Sequence, residues 1–182
     1  GQIQGFFDIP VDNLFATPIF ARHARKKIKS KKIICVAPDV GGTERARALG
    51  KLLGVGLAIV DKRRPKPGKS KVMNVIGDVK DQTCIIVDDI IDSGGTIVNA
   101  AKALKERGAK EVYVYITHGV LSGDAVKKIK SSVIKNLVIT DTISNGEKIK
   151  NVKNIEVLPI SGLMGEAIKR ISNSTSVSDL FK

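Results

Sequence analysis

The chain has 182 residues, 42% of them hydrophobic and 27% charged, enough to bury one substantial core and few enough that a single domain over residues 1–182 is expected. Its 31 basic against 18 acidic side chains leave a net charge of +13, which fits either a nucleic-acid surface or small phosphorylated anions. Only 4% of the residues are aromatic and none is Trp, so stacking platforms for single strands are scarce and solvated basic faces are favoured over a nucleic-acid partner.

In chain order, the opening residues carry neither a basic stretch nor an apolar signal core. No later apolar run approaches the ~20 residues of a membrane span, so a soluble, cytoplasmic protein without a membrane partner is expected. "ARKKIKSKK" (Ala24 to Lys32) scatters its charges as solvated helix faces and loops do, and His23 beside it reads as exposed on a helix. Ile33 to Ala37 ("IICVA") is a short apolar run rich in β-branched residues, and so are Gly56 to Val60, Cys84 to Val87, Glu111 to Ile116 and Asn136 to Thr140. Such runs are typical of strands covered on both faces. Cys35 and Cys84 lie inside them as small hydrophobes, so neither a structural disulfide nor a cysteine-built metal site is expected. Between the runs, Ala46, Leu49 and Leu53 repeat at helical spacing before Gly54, and Ile97, Ala101 and Leu104 do so before Gly108. A last helix is expected over Leu163 to Ile171, ahead of a Ser-rich tail. Strand and helix take turns, which predicts an α/β, doubly wound, mostly parallel sheet with helices on both faces.

Ligands of such sheets sit beyond the carboxyl ends of the strands. There "CIIVDDIIDSGGT" (Cys84 to Thr96) places Asp88 and Asp89, then Asp92, Ser93, Gly94, Gly95 and Thr96 in a turn leading to a helix. Gly94 and Gly95 permit positive φ and a close approach of backbone N–H groups to an anion, and the helix dipole adds to this, so the turn can hold a phosphate. The acids can accept hydrogen bonds from sugar hydroxyls or ligate Mg²⁺. A plainer alternative is that Asp92 or Ser93 caps the helix and the glycines only make the turn tight. "APDVGG" (Ala37 to Gly42) repeats the arrangement after the first strand: Asp39 at a strand end, then Val40, Gly41 and Gly42 in a second bare-backbone turn suited to a diphosphate. "DKRRPKPGKSKV" (Asp61 to Val72) gathers Lys62, Arg63 and Arg64 with three further lysines in a loop holding two prolines. His118 follows a strand; it can face the cleft, although a packed or hydrogen-bonded role is the commoner one.

"VDDIIDSGGT" resembles the phosphoribosyl pyrophosphate (PRPP) binding loop shared by type I phosphoribosyltransferases and ribose-phosphate pyrophosphokinases. "GQIQGFFDIPVDNL", "APDVGGTERARAL", "DKRRP", "VMNVIGDV", "THGVLSG" and "SVSDLF" resemble the latter family in order and spacing, nearly from Gly1 to Lys182. The resemblance implies a type I phosphoribosyltransferase-like fold and transfer of the pyrophosphoryl group of MgATP to the 1-hydroxyl of ribose 5-phosphate, giving PRPP and AMP. It implies Lys62 and Arg64 as catalytic residues of a closing loop. It further implies Asp88, Asp89 and residues 92–96 around ribose 5-phosphate, residues 39–42 around pyrophosphate, and Asp39 and Asp88 on Mg²⁺. More weakly it implies Asp12, Ser176 and Ser178 near a regulatory site between subunits of a homo-oligomer. The family's amino-terminal half, which carries much of the adenine site and a catalytic histidine, precedes the segment matched here, so the isolated 182-residue chain is expected to be inactive. A stand-alone phosphoribosyltransferase, a nonenzymatic subunit associated with such a synthetase, and a nucleic-acid binder are the alternatives.

Overall fold

A computed structural model describes residues 2–63 and 72–181. Seven strands form one sheet in the order β3-β2-β1-β4-β5-β6-β7. They are β1 (Ile33–Ala37), β2 (Gly56–Arg63), β3 (Val72–Ile76), β4 (Thr83–Ile91), β5 (Glu111–Gly119), β6 (Asn136–Thr140) and β7 (Ile155–Leu158). All pairings are parallel except that of β3, which runs antiparallel to β2 at one edge. The five expected strands are present, and three reach beyond their apolar runs: β2 into Arg63, β4 through Asp88 and Asp89 to Ile91, and β5 to Gly119. Asp88 and Asp89 therefore belong to the last residues of a strand rather than to the turn after it.

Helices cover both faces. α1 (Thr17–Lys27) and α2 (Thr43–Leu53) bury Phe20, Ala24, Ala46 and Leu49 against Cys35, Ile85, Val87 and Tyr115. On the other face α3 (Gly95–Glu106) and α4 (Ala125–Lys130) set Ile97, Ala101, Leu104 and Ile129 against Ile34, Ile86, Val114 and Ile116. Alternate residues of each central strand feed opposite layers, so its side chains must be apolar on both sides. Gly54, at φ 71°, ends α2 in the left-handed cap expected of a glycine at that position. A short α5 (Gly146–Ile149) precedes β7, and α6 (Ser161–Ser172) is the final helix, extending slightly past its expected bounds. Among the described residues no helix is long and apolar enough to cross a membrane. Both cysteines are free and buried, and burial pushes each thiol up to about 12.

His23 corrects an expectation. It lies on α1, but its ring is turned inward with only 15% of the side chain exposed. Nδ1 lies 3.0 Å from the Tyr115 hydroxyl and Nε2 lies 2.9 Å from Glu156 Oε1. Burial, with help from the Glu156 charge and Tyr113, raises the Tyr115 pKa, so its hydroxyl keeps its proton and donates to Nδ1. Nε2–H then donates to Glu156, whose Oε2 also accepts from Lys27 (2.8 Å) and Asn136 (3.1 Å). Burial opposes ionisation of Glu156, but the donors Lys27, His23 and Asn136 together outweigh it and bring its pKa from 4.5 down to about 2. The network ties α1 across β5 and β6 to the edge strand β7. Helical spacing alone could not reveal it, because the partners lie far away in sequence.

Candidate functional site

From β1 the chain turns through α2 toward β2 on one side of the sheet, and from β4 through α3 toward β5 on the other. Strand order thus reverses between β1 and β4, and an open crevice forms outside their carboxyl ends. The paired residues Val36 and Ile86 fix the register there. Asp39 follows one of these neighbouring strands and Asp88 lies near the carboxyl end of the other, with a glycine turn after each.

In the first turn Asp39 Oδ1 accepts the Gly42 N–H at 2.9 Å, closing the loop over residues 39–42 and leaving Val40 65% exposed. A Cβ at Gly41 would stand 3.3 Å from Asp39 Oδ1, and one at Gly42 would stand 3.2 Å from the ring of Pro38. The bare backbone is what lets this loop be so tight. In the second turn Gly94 has φ 75° and precedes α3 with no side-chain cap hydrogen bond. The plainer expectation, that Asp92 or Ser93 caps the helix, is therefore not realised. The first amides of α3 remain without a side-chain partner at the positive end of a twelve-residue helix. Asp92, Ser93 and Thr96 are exposed, and Gly95 is half-buried. The Asp92 carbonyl accepts from Ser122 N–H at 3.2 Å, and the Ile91 carbonyl from Val120 and Leu121, so the β5–α4 connection braces the turn from behind. Lys128 Nζ donates to the Ser93 carbonyl at 3.1 Å, adding a cation beside the turn.

Arg45, in the first turn of α2, reaches across to the acids near the carboxyl end of β4. Its Nη2 donates to Asp88 Oδ1 at 2.5 Å and stands 3.3 Å from Asp89 Oδ1. Asp88 Oδ1 also accepts the Asp89 N–H at 2.9 Å. Burial raises the Asp88 pKa, and the hydrogen bonds from Arg45 and the Asp89 amide counter that only in part. The Asp88 side chain is 16% exposed, whereas that of Asp89 is 56% exposed and open to solvent. Arg45 Nε is buried with no hydrogen-bond partner among the described residues. Sequence reasoning missed Arg45, yet a signal was present: it stands in the first turn of α2, where a cation opposes the helix dipole and so needs a reason to be there.

The remaining expected residues are less closely gathered. Lys62 lies on β2, paired in register with Met73 of β3, and Arg64 lies outside the described residues. His118 ends β5 exposed, its Nδ1 2.9 Å from Thr142 Oγ1. Asp12, Ser176 and Ser178 are exposed. Their two segments come together where Phe15 and Phe181 meet edge to face with centroids 5.4 Å apart. Among the described residues no three of His, Cys, Asp and Glu are grouped to hold a metal on their own.

A family profile described as "Phosphoribosyl synthetase-associated domain" matches residues 62–182. The chain is 60% identical, over its whole length, to a ribose-phosphate pyrophosphokinase of Hyphomonas neptunium and 57% identical to that of Bradyrhizobium diazoefficiens. It spans 58% and 57% of those two proteins, little more than half of each. Among solved structures it superposes on phosphoribosylpyrophosphate synthetase from Mycobacterium smegmatis with a TM-score of 0.84 and 36% identity, covering 95% of this chain and 56% of that one. An adenine phosphoribosyltransferase shares the fold alone, at TM-score 0.54 and 22% identity over 65% of this chain and 75% of its own. Together with two glycine turns flanking a strand-order reversal, these matches show that the chain belongs to the phosphoribosyl synthetase family and has the α/β fold common to synthetases and phosphoribosyltransferases.

Proposed function

We propose that this chain supplies the ribose-phosphate and pyrophosphate half of a ribose-phosphate pyrophosphokinase, which converts ribose 5-phosphate and MgATP to PRPP and AMP. The observation that carries the reading is the placement of both glycine turns at the ends of adjacent parallel strands, with Arg45 of α2 bonded to Asp88 of β4 between them. In this reading the 5-phosphate rests on the amides of residues 93–96, where the start of α3 lacks a side-chain cap and Lys128 stands near. Asp89, the more exposed acid, accepts from the sugar hydroxyls. The pyrophosphoryl group lies over residues 39–42, whose tight backbone admits a close approach.

Asp39 and Asp88 fit Mg²⁺ chemically. Each uses Oδ1 for the protein contacts described above and has Oδ2 without a hydrogen bond among the described residues, and Mg²⁺ commonly takes one or two carboxylates with phosphate oxygens completing its shell. When bound, the ion would neutralise phosphate charge and offset the burial that disfavours the Asp88 carboxylate. The 1-hydroxyl oxygen attacks the β-phosphorus and gives up its proton to water, the bond to the oxygen bridging the α- and β-phosphates breaks, and AMP leaves with that oxygen. Such a transfer needs alignment and positive charge rather than a protein nucleophile, and Lys62 and Arg64 are the residues proposed to bring that charge.

Calorimetric titration with ribose 5-phosphate and with PRPP, each with and without Mg²⁺, tests the reading. Saturable binding of both is expected, with PRPP tightened by Mg²⁺ and ribose 5-phosphate weakened about tenfold by Asp89→Ala. Absence of binding by either compound would overturn it.

A further inference from the structure

Opposite the acids, at the amino ends of the parallel strands, a cavity of about 340 Å³ opens among Lys27, Lys29, Thr83, Lys110, Glu111 and Lys135. We propose that it is a second anion site, taking a small organic phosphate. It does not depend on the reading of the glycine turns: Thr83 opens β4, whose far end carries Asp88, roughly 17 Å away at the usual rise per residue.

Thr83 makes the cavity more than a basic surface. The residue is fully buried, and its Oγ1 has no hydrogen-bond partner among the described residues. A buried hydroxyl is ordinarily paired, so one left over on a cavity wall calls for a ligand or a water. The charges point the same way. Lys27 is held by Glu156, while Lys135 is paired with Glu111 and sits 5.4 Å from the centre of the Tyr113 ring. With Glu111 neutralised in this way, Lys29 and Lys110 face the cavity with no ion-pair partner among the described residues. Two uncompensated ammonium groups and one unpaired hydroxyl suit a dianion with several acceptor oxygens. The volume exceeds that of one phosphate and falls at the small end of organic-ligand pockets. Complementing the carboxyl end of α1 explains the position of Lys27. It does not explain Lys29, which lies beyond the helix, or Lys110, which precedes β5, or the Thr83 hydroxyl.

The test is amide chemical-shift titration of the chain with inorganic phosphate and with glycerol 3-phosphate, ionic strength being held constant with chloride. Saturable shifts at Thr83 and Glu111 are expected, distinct from any at residues 93–96, and tighter for glycerol 3-phosphate. The double variant Lys29→Ala, Lys110→Ala, altered only at exposed side chains, should lose the first set and keep the second. Thr83→Val should weaken binding at this site about tenfold while leaving the melting temperature unchanged or higher, since it removes an unpaired hydroxyl at constant shape. Shifts confined to residues 93–96, non-saturable shifts, or shifts at Thr83 and Glu111 unaffected by these substitutions would overturn the proposal.

Discussion

Replacing Arg45 by Met keeps the length and apolar stem of the side chain and removes only the guanidinium that spans Asp88 and Asp89. Asp88 would then be left with 16% of its side chain exposed and only the Asp89 amide to oppose its burial. Stripping the partner from a fully buried ion pair costs about 3–5 kcal/mol. Arg45 itself is 37% exposed, so solvent screens part of that, and about 1–2 kcal/mol is the expected loss at neutral pH. The sign of its pH dependence follows from Asp88. Burial has already raised this pKa, so the charged form is the one the fold disfavours, and removing Arg45 raises it further. The deficit of Arg45→Met should therefore be full where Asp88 is ionised in both proteins. It should shrink as the pH falls through the variant's Asp88 pKa toward the ordinary value of 3.8, because a protonated Asp88 no longer needs a cation. Urea denaturation of the parent and Arg45→Met chains at a series of pH values measures this directly. An Arg45→Met chain as stable as the parent at neutral pH, or a deficit that does not change with pH, would refute the charged bridge from α2 to β4.

Glu156→Gln tests the network beneath α1. Its carboxylate pKa is lowered from 4.5 to about 2, so its stabilisation is present above 4.5 and lost as the pH falls toward 2. With the carboxylate 35% exposed, roughly 1 kcal/mol survives screening, and the gap between the parent and Glu156→Gln stability curves should close across that window; a constant gap would show that lost packing, not charge, was responsible. Gly94→Ala forces an L side chain into φ 75° where the new Cβ would find its nearest neighbour no closer than 3.8 Å, so the loss is conformational, about 1 kcal/mol. Unchanged stability with intact phosphate affinity in Gly94→Ala would mean that the turn does not require its left-handed residue.

The sheet was legible because its central strands have no choice of residue. Buried on both faces, Ile33 to Ala37 and Cys84 to Val87 must be continuous apolar runs, and such runs announce themselves without any partner in view. The edges were not legible for the same physical reason. β3 carries Asn74 amid its apolar residues, and β7 turns Glu156 to the His23 network and leaves Val157 exposed, so neither is an unbroken, fully buried apolar run. α1 was legible only as a solvated helix: three basic residues crowd its last turn and masked the face that buries Phe20, Ala21 and Ala24. Of the site, the glycine turns were readable because backbone conformation restricts residue type locally. The cation on Asp88 and Asp89 was not, because those partners lie 43 and 44 positions away in the chain.

That distribution bears on which residues are shaped by ligand rather than by folding. A chain selected only for stability would not place a largely buried acid near the carboxyl end of β4, raise its pKa by burial, set a second acid beside it and oppose the α2 dipole with an arginine to hold the pair. Each of these choices costs free energy in the unliganded protein. Under the proposed function they would be consistent, since a bound cation would offset the burial of Asp88 and sugar hydroxyls would satisfy Asp89. The Thr83 hydroxyl breaks the same rule at the other end of the same strand, buried and, among the described residues, without a partner beside two ammonium groups that form no ion pair. If local inconsistency marks function at Asp88, the same standard applies at Thr83. Stability measured on Asp88→Asn and Thr83→Val without ligand should then move in the same direction, upward or not at all, while each substitution weakens binding only at its own end of β4.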